Sequence, residues 1–134
     1  GKTFLSACIA RVVSQKGFSV VYESAGAAFE AFEDKRFARD GDAAGTVERM
    51  LSCDLLILDD LGTEVPGGVT NGALYAILSR RLAGKKSMII STNLSAAELA
   101  RRYTPQIASR IEGEFEELEF AGSDIRAIKK ARER

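Results

Sequence analysis

The sequence predicts a single α/β domain in which helices cover a mostly parallel central sheet. Two short runs, residues 55–58 and 88–91, are apolar almost throughout, as is typical of strands buried in a parallel sheet. The stretches around them repeat apolar residues at spacings of three and four, which predicts helices. Because strand and helix alternate along 134 residues, of which 46% are apolar, we expect one domain with its own core over residues 1–134.

The composition argues against several classes of function. Lysine plus arginine and aspartate plus glutamate number 19 each, so any contact with nucleic acid requires a local basic patch. The chain has no histidine, which removes the commonest general base and metal ligand. Cys8 and Cys53 lie far apart in apolar surroundings, which predicts buried free thiols rather than a disulfide or metal site. With no signal peptide and no apolar run that spans a bilayer, we expect a cytoplasmic protein without membrane contact.

The first half of the chain predicts one strand between helices. A helix follows GKT at positions 1–3, and Gly17 is expected to end it. The apolar face of this helix consists of Phe4, Leu5, Cys8, Ile9, Val12 and Val13. A short strand is expected at Ser19–Tyr22. Residues 25–52 are helical in pattern, and we expect Gly41 and Gly45 to divide them into two helices.

The second half continues the alternation of strands and helices. The predicted elements are a strand at 55–58, a helix at 71–83, a strand at 88–91, a short helix at 105–111, an edge strand at Glu116–Phe120 and a charged helix from Asp124. Ser95 and Glu98 have the spacing of a capping box, which predicts a further helix start. The edge strand is predicted because polar and apolar residues alternate there.

GKT followed by an amphipathic helix matches the end of the P-loop pattern G-x-x-x-x-G-K-[ST]. Main-chain N–H groups at a helix N-terminus point towards an anion, and Gly1 belongs to this phosphate-binding turn. Lys2 would reach the β- and γ-phosphates of ATP, and the Thr3 hydroxyl would bind Mg²⁺. The alternative is an ordinary helix start with an exposed lysine, because a tripeptide often occurs by chance.

Asp59 and Asp60 directly follow the buried run LLIL, which is the position of a Walker B carboxylate. Mg²⁺ prefers oxygen ligands and keeps several waters, so we expect Asp59 to hold the metal through one of its waters. Asp60 would then face the γ-phosphate and orient or deprotonate the attacking water. The alternative is a solvated acidic turn, but GKT upstream favours a nucleotide site.

Three further polar residues are candidates for the same site. Asn93 ends the second buried run, where its amide would position water or contact the γ-phosphate; the alternative is a turn-forming asparagine. Arg110 lies in the stretch SRI and Arg126 in SDIR. Taken singly, both are typical of surface arginines.

The ordered set GKT, LLILDDLG, IISTN, SRI and SDIR resembles the AAA+ ATPases of the DnaC/DnaI type, which are bacterial replicative-helicase loaders, and the related IstB transposition helpers. The resemblance covers essentially the whole chain, and DDLGTE and the stretch from PQIASRI to GSDIR are its most specific parts. It implies a P-loop NTPase fold of the AAA+, ASCE type with sheet order 5-1-4-3-2. The first strand would lie upstream of Gly1, so we expect a fragment that lacks the start of Walker A and an upstream partner-binding domain.

The resemblance also implies a role for each candidate residue. The positions that match Walker A, Walker B and sensor 1 are Lys2 and Thr3, Asp59 and Asp60, and Asn93, respectively. Arg110 matches the arginine finger, which reaches the nucleotide of a neighbouring subunit. Arg126 matches sensor 2, which reads the γ-phosphate within its own subunit; a permanently charged, forked side chain suits both roles. Many AAA+ proteins have glutamate where Asp60 stands, so water must be held closer here.

In these loaders a helical insertion after the second strand contacts single-stranded DNA, and residues 25–52 occupy that place. The candidates for phosphate contact are Lys35, Arg36 and Arg39, and those for packing or stacking on bases are Phe29, Phe32 and Phe37. Acidic residues lie among the basic ones, and a phenylalanine stripe is more often core, so plain packing is the alternative.

These features favour an ATP-binding and ATP-hydrolysing domain of a replicative-helicase loader, with ATP and Mg²⁺ as cofactors. By resemblance, its partners would be the helicase, single-stranded DNA and further copies of itself in a head-to-tail spiral or filament. One alternative is a transposition helper that acts with a transposase and duplex DNA. Another is a nucleotide-binding scaffold without turnover, against which the intact Asp59–Asp60 pair argues. A metabolic kinase would leave SRI and SDIR without a role.

Overall fold

The computed structural model describes residues 2–38, 41–65 and 67–118. The predictions for Gly1, Arg39, Arg126 and the tail helix from Asp124 lie outside the described residues. Among the helices that are described, none is both long and apolar enough to cross a membrane.

Within the described residues, three parallel strands form the sheet in the order β1-β2-β3. They are β1 (Val20–Ser24), β2 (Leu55–Leu61) and β3 (Ser87–Thr92). Val20 is paired with Leu55, which is paired in turn with Ser87, so the strands begin in register. Helices connect these parallel strands, which confirms the predicted α/β class. The observed order agrees with the adjacent strands 2, 3 and 4 of the predicted 5-1-4-3-2 sheet.

Six helices accompany the sheet in the described residues: α1 (Lys2–Gln15), α2 (Ala25–Arg36), α3 (Ala43–Ser52), α4 (Gly68–Ala83), α5 (Ala96–Arg102) and α6 (Pro105–Glu114). α1 packs against all three strands, whereas α2 packs against β1, β2, α3 and α4. α4 also contacts β3. α6 packs against α4 and α5. Each strand of the described sheet therefore has helices packed against it.

The centre of the molecule is β2, whose residues Leu56, Ile57 and Leu58 are all fully buried. Successive side chains of a strand point to opposite faces, so Leu56 and Leu58 enter the main core while Ile57 and Asp59 lie on the other face. The main core also contains fully buried helical residues: Val47, Met50, Leu74, Ile77, Leu78 and Ile107. Burial of one such apolar side chain contributes about 1.5–3 kcal/mol to the free energy of unfolding. β2 has three fully buried residues in a row and is therefore the best-anchored strand.

Several predicted helix boundaries are confirmed. α1 ends at Gln15, and Gly17 follows with a φ of 90°, a left-handed conformation that favours glycine. The Ser95 hydroxyl accepts from the Glu98 N–H and the Glu98 carboxylate accepts from the Ser95 N–H, which is the predicted capping box at the start of α5. Gly41 lies between α2 and α3 as predicted, whereas Gly45 lies inside α3.

The prediction that both cysteines are buried was wrong for Cys8. Cys53 is buried and Cys8 is exposed, although both thiols are free as predicted. Phe4 and Val12, which share a face of α1 with Cys8, are exposed too. The apolar residues of α1 cover a wider arc than the sheet contacts, because a helix lies against a sheet along only one stripe of its surface.

Two strand predictions also need correction. β3 is half-buried rather than buried at residues 88–90. Residues 116–118, the described part of the predicted edge strand, directly follow α6 and its C-cap and form no strand. An alternating pattern specifies side-chain faces, but a strand also needs a neighbouring strand for its main-chain hydrogen bonds.

Arg81 is fully buried on α4 and connects three segments at the N-terminal edge of the sheet. Its Nη1 donates to the Met50 carbonyl at 2.9 Å, and its Nη2 donates to the Ser87 carbonyl at 2.7 Å and the Asp54 carbonyl at 3.4 Å. Burial lowers the pKa of the Arg81 guanidinium, an effect that Cys53 and Asp54 partly offset. The side chain therefore satisfies carbonyl groups that would otherwise be buried without donors.

We expect Arg81→Met to lower the free energy of unfolding by about 2–4 kcal/mol, because methionine fills the volume but leaves buried carbonyls unpaired. Urea denaturation followed by circular dichroism measures the change. The neighbouring Arg80 is the matched control: it pairs with Glu48 at 2.7 Å, but the two side chains are 54% and 56% exposed. Arg80→Met should change the free energy of unfolding by less than about 1 kcal/mol. Equal effects of the two substitutions would contradict the role of Arg81.

Candidate functional site

The start of α1 lies against the C-terminal ends of β2 and β3. Lys2 Nζ donates a hydrogen bond to Asn93 Oδ1 at 2.6 Å. Thr3 Oγ1 donates to Asp59 Oδ2 at 3.0 Å. These residues meet because neighbouring parallel strands end at the same edge of the sheet, which is where ligands bind in open α/β folds. Four of the residues predicted from the sequence therefore form one cluster.

Asp59 is the buried member of the cluster, at 7% exposed. Besides the Thr3 hydroxyl, its carboxylate accepts from the Ser91 hydroxyl at 2.5 Å and from the Tyr22 hydroxyl at 3.2 Å. A carboxylate that loses its water needs such donors to remain charged. The donors come from α1, β1 and β3, so Asp59 connects every element that borders the site.

Asp60 has a different environment from its neighbour. Its side chain is exposed, and its φ of 57° places it in the left-handed region that aspartate adopts more readily than most residues. The pairing of β2 with β3 shifts between Leu58 and Leu61, which makes room for this conformation. The Asp60 N–H donates to Ser91 Oγ at 2.9 Å, so one hydroxyl orients both aspartates.

The loop after Asp60 lies directly against the residues that follow β3. Gly62 has a φ of 105°, and a Cβ at this position would lie 2.6 Å from Leu94 Cδ1. The Thr92 hydroxyl donates to the Leu61 carbonyl at 2.6 Å. The position of Asp60 is therefore fixed by contacts on its C-terminal side as well as by Ser91.

The Thr3–Asp59 pair fits a magnesium site. The Thr3 hydroxyl gives its hydrogen to Asp59, which leaves its oxygen lone pairs available to a cation. Mg²⁺ is typically held by one or two protein oxygens together with water and phosphate oxygens. The described residues include no group of three or more His, Cys, Asp or Glu side chains that could hold a metal ion.

Ser91 and Tyr22 also belong to the site, although the sequence motifs did not predict them. Ser91 lies near the end of β3 and two residues before Asn93, so it was detectable as a second hydroxyl donor at the sheet edge. Tyr22 carried no such signal, because its contact with Asp59 depends on β1 lying next to β2. Burial and the negative charge of Asp59 raise the pKa of the Tyr22 hydroxyl, which therefore stays protonated and donates at neutral pH.

Arg110, the predicted arginine finger, makes its described contact with Tyr75 and not with a member of the cluster around Asp59. It lies on α6, where its guanidinium carbon is 5.6 Å from the ring centre of Tyr75 on α4. Tyr75 is 44% exposed, so this cation–π pair is at the surface. Arg126 and Gly1 lie outside the described residues.

Two of the three candidate DNA-contacting residues border a separate cavity of about 320 Å³ between α2 and α4, and the third, Arg39, lies outside the described residues. Lys35 and Arg36 line it from the last turn of α2, and Gly68 lines it from the start of α4. Phe29 is 4% exposed and belongs to the main core, so it is not available to stack on a base. Phe37 is exposed and lies beneath the Arg36 guanidinium at 5.4 Å.

The fold and the cluster at the sheet edge define a P-loop ATPase domain of the AAA+ type. The model of the family described as IstB-like ATP binding protein matches residues 1–111, and the chain therefore belongs to this family. No curated protein sequence matches the chain significantly.

Three solved structures illustrate the similarity of fold. The DnaC helicase loader is 26% identical with a TM-score of 0.71, over 87% of this chain and 70% of that protein. DnaI is 25% identical with a TM-score of 0.67, over 84% of this chain and 63% of that protein. AMPPCP-bound DnaA from Aquifex aeolicus is similar in fold, with 23% identity and a TM-score of 0.67 over 92% of this chain and 38% of that protein. The chain thus spans only part of each.

We expect Gly62→Ala to lower the free energy of unfolding by about 1–3 kcal/mol, because alanine disfavours this φ and its Cβ would overlap the Leu94 side chain. Gly72 is the matched control, since it lies within α4 and a Cβ there meets nothing within 4 Å. Gly72→Ala should raise the free energy of unfolding by about 0.5–1 kcal/mol. Thermal and urea denaturation measure both, and effects of the same sign would contradict this account of the loop.

Proposed function

We propose that this chain binds ATP together with Mg²⁺ and hydrolyses it. The observation that carries the proposal is the convergence of Lys2 and Thr3 with Asp59 and Asn93 at the C-terminal edge of the sheet. A lysine and a hydroxyl at a helix start, facing a buried carboxylate, are the groups that a nucleotide phosphate with its cation requires. Membership of an ATP-binding family supports the same reading.

In this proposal, Gly1 and Lys2 bind the nucleotide phosphates. Thr3 supplies a hydroxyl oxygen to Mg²⁺, and Asp59 contacts the ion through one of its waters, as its hydrogen bond from Thr3 allows. Held by Thr3 and Asp59, the ion would supply positive charge that offsets the negative charge of the phosphates. Ser91 and Tyr22 orient Asp59 for this role.

Asp60 is the proposed general base, or the group that orients the attacking water. Its exposed side chain and fixed main chain suit this role, because a base must reach a water without moving from its position. Asn93 positions the same water or contacts the γ-phosphate. Lys2 holds the Asn93 amide at 2.6 Å, so phosphate binding at Lys2 and the orientation of Asn93 are connected.

Two arginines complete the proposed site. Arg110 acts as an arginine finger on the nucleotide of a neighbouring copy, which its place at the surface on α6 supports. Arg126 acts as sensor 2 within its own chain. A finger supplied by a neighbour implies head-to-tail contacts, which build a spiral or filament rather than a closed pair.

At the level of the cell, we propose that the chain is part of a loader of a replicative helicase that assembles on single-stranded DNA. The similarity to the structures of the DnaC helicase loader and DnaI supports this proposal. Lys35, Arg36 and Arg39 would contact DNA phosphates, and the position of Lys35 and Arg36 on the rim of a cavity supports this role for them. The helicase would be bound by a region outside this chain.

A transposition helper is the second candidate, and the match of the IstB-like family model to residues 1–111 favours it. In that case a transposase and duplex DNA are the partners. A nucleotide-binding scaffold without turnover is the third. Phosphate release and its stimulation by single-stranded or duplex DNA separate these candidates, because the candidates differ in turnover and in the form of DNA that stimulates it.

We expect Asp60→Asn to lower kcat for ATP hydrolysis by about 10²–10⁴-fold while nucleotide affinity is retained, because the amide cannot accept a proton. Phosphate release and binding of a fluorescent ATP analogue measure the two quantities. Asp54→Asn, at the opposite end of β2, is the matched control and should leave kcat unchanged. Binding without turnover in the unaltered chain would favour the scaffold.

The same variant tests Arg110. Mixing Asp60→Asn chains with Arg110→Ala chains should restore about a quarter of the activity, because one in four head-to-tail contacts then joins an intact Asp60 to an intact Arg110. No recovery in the mixture, with each variant folded, would contradict a finger supplied by a neighbouring copy.

We expect single-stranded DNA to stimulate ATP hydrolysis more than duplex DNA does. Replacing Lys35 and Arg36 together by alanine should weaken single-stranded DNA binding and reduce the slope of log affinity against log salt by about 1.4, as expected for two lost phosphate contacts. Arg11→Ala with Lys16→Ala, two exposed basic residues of α1 and its end, is the control. Stimulation by duplex DNA alone would favour the transposition helper.

A further inference from the structure

Glu64 is a buried carboxylate in the loop that leads from Asp60 to α4. Its side chain is 5% exposed. Glu64 Oε1 accepts from the Gly62 N–H at 2.8 Å, which turns the carboxylate back onto its own loop. The Thr63 hydroxyl donates to the Asp60 carbonyl at 2.8 Å within the same turn. The loop of residues 62–65 that follows Asp60 and the end of β2, here called the Asp60 loop, is thus folded around Glu64.

The other side of Glu64 is bound to the end of α5. Tyr103 donates its hydroxyl hydrogen to Glu64 Oε2 at 2.6 Å. Arg102 Nη2 donates to the same oxygen at 3.2 Å and also to the Glu64 main-chain carbonyl. Arg102 therefore holds both the side chain and the main chain of Glu64, which is the forked recognition that arginine is suited to.

The electrostatics of this cluster keep Glu64 ionised. Burial of the Glu64 carboxyl works to raise its pKa, but hydrogen bonds from Tyr103, from the Gly62 main chain and from Arg102 outweigh it and leave the pKa below its usual value. Burial and the bond to Glu64 raise the pKa of Tyr103. At neutral pH the cluster is a carboxylate with a charged and a neutral donor, so all three groups are satisfied.

Arg102 and Tyr103 directly precede α6, the helix that carries Arg110. Arg102 is the last residue of α5, and Tyr103 is buried at its C-cap. Thr104 then caps α6 by accepting from the Ile107 N–H, and the Ile107 side chain is fully buried. A shift of the Arg102–Tyr103 pair would therefore displace the start of α6 from the core.

We propose that Glu64 is a positioning residue that fixes the Asp60 loop and helix α6 relative to each other through Arg102 and Tyr103. It joins the main chain next to one proposed catalytic group, Asp60, to the helix that presents another, Arg110. The part of this inference that concerns catalysis rests on the proposed ATP hydrolysis. The mechanical link itself does not.

The exposed ion pair of Glu48 with Arg80 offers a comparison within the same molecule. Both pairs have a glutamate oxygen within hydrogen-bond distance of an arginine, but Glu48 and Arg80 are more than half exposed, whereas Glu64 and Arg102 are 5% and 21% exposed. Exposed pairs contribute little, and a buried pair in which one member is removed leaves an unpaired buried group. Glu48→Gln is therefore the matched control for Glu64→Gln.

Hydrogen–deuterium exchange of the unaltered and substituted chains tests the link without any need for hydrolysis. In Glu64→Gln, amides of the Asp60 loop (residues 62–65) and of α6 should both exchange roughly tenfold or more faster, while those of α1 and α3 stay unchanged. Tyr103→Phe, which removes only one hydroxyl, should give a smaller change in the same two segments. Glu48→Gln should leave both segments unchanged.

Two patterns of exchange in Glu64→Gln would overturn the proposal. Faster exchange in the loop alone, or in neither segment, would show that α6 does not depend on Glu64. Faster exchange over α1 and α3 as well would show that Glu64 only stabilises the whole fold. If Glu64→Gln does not fold, the Tyr103→Phe chain decides by the same comparison.

A second measurement addresses catalysis at a temperature where circular dichroism shows each variant folded. Glu64→Gln should lower kcat for ATP hydrolysis by roughly tenfold or more with KM for ATP within about twofold, because the catalytic groups move while the phosphate site stays intact. An unchanged kcat would overturn the positioning role. Absence of hydrolysis in the unaltered chain would instead overturn the proposed function, and the exchange experiment would still decide the link.

Discussion

The carboxylate of Asp59 is the constraint on which the rest of the site depends. β2 is apolar and buried up to Leu58, so the charge that follows it must be satisfied by neighbouring side chains rather than by water. Its hydroxyl donors are Thr3, Tyr22 and Ser91. They come from α1, β1 and β3, so the order of the strands and the start of α1 at the same edge are both needed to keep this one charge buried.

Asp60 can directly follow the buried Asp59 only because the main chain departs from regular strand geometry at Asp60. Two carboxylates on adjacent residues would repel each other if both were buried, and a regular strand would send Asp60 to the opposite face, towards the main core. The left-handed conformation of Asp60 and the irregular pairing with β3 turn it to the surface instead. The Ser91 hydroxyl bonds to the side chain of Asp59 and to the main chain of Asp60, so one hydroxyl stabilises the different orientations of the two carboxylates.

Local patterns in the sequence predicted the features that depend on neighbouring residues. The run 55–58, the capping box at Ser95 and the polar residues at strand ends were all identifiable, and the structure brings Lys2, Thr3, Asp59 and Asn93 together. Contacts between distant segments were predictable only where a motif at a strand end or helix start marked both partners. Tyr22 meets Asp59 only through the sheet order, Glu64 meets Arg102 only through packing, and the exposure of Cys8 depends on how much of α1 the sheet contacts. Periodicity identifies a face but does not identify what covers it.

In the described part of the chain, the buried ionic side chains Asp59, Glu64 and Arg81 are satisfied in different ways, and the difference indicates which one is available to a ligand. Arg81 donates to main-chain carbonyls at the N-terminal edge, and Glu64 is paired with the charged Arg102. The hydrogen bonds that the described residues donate to Asp59 come from neutral hydroxyls. Lys2, the nearby cation on α1, instead donates to the neutral amide of Asn93. Hydroxyl donors stabilise the Asp59 carboxylate without cancelling its charge, so Asp59 keeps the negative charge that attracts a divalent cation, and Lys2 keeps the positive charge that attracts phosphate.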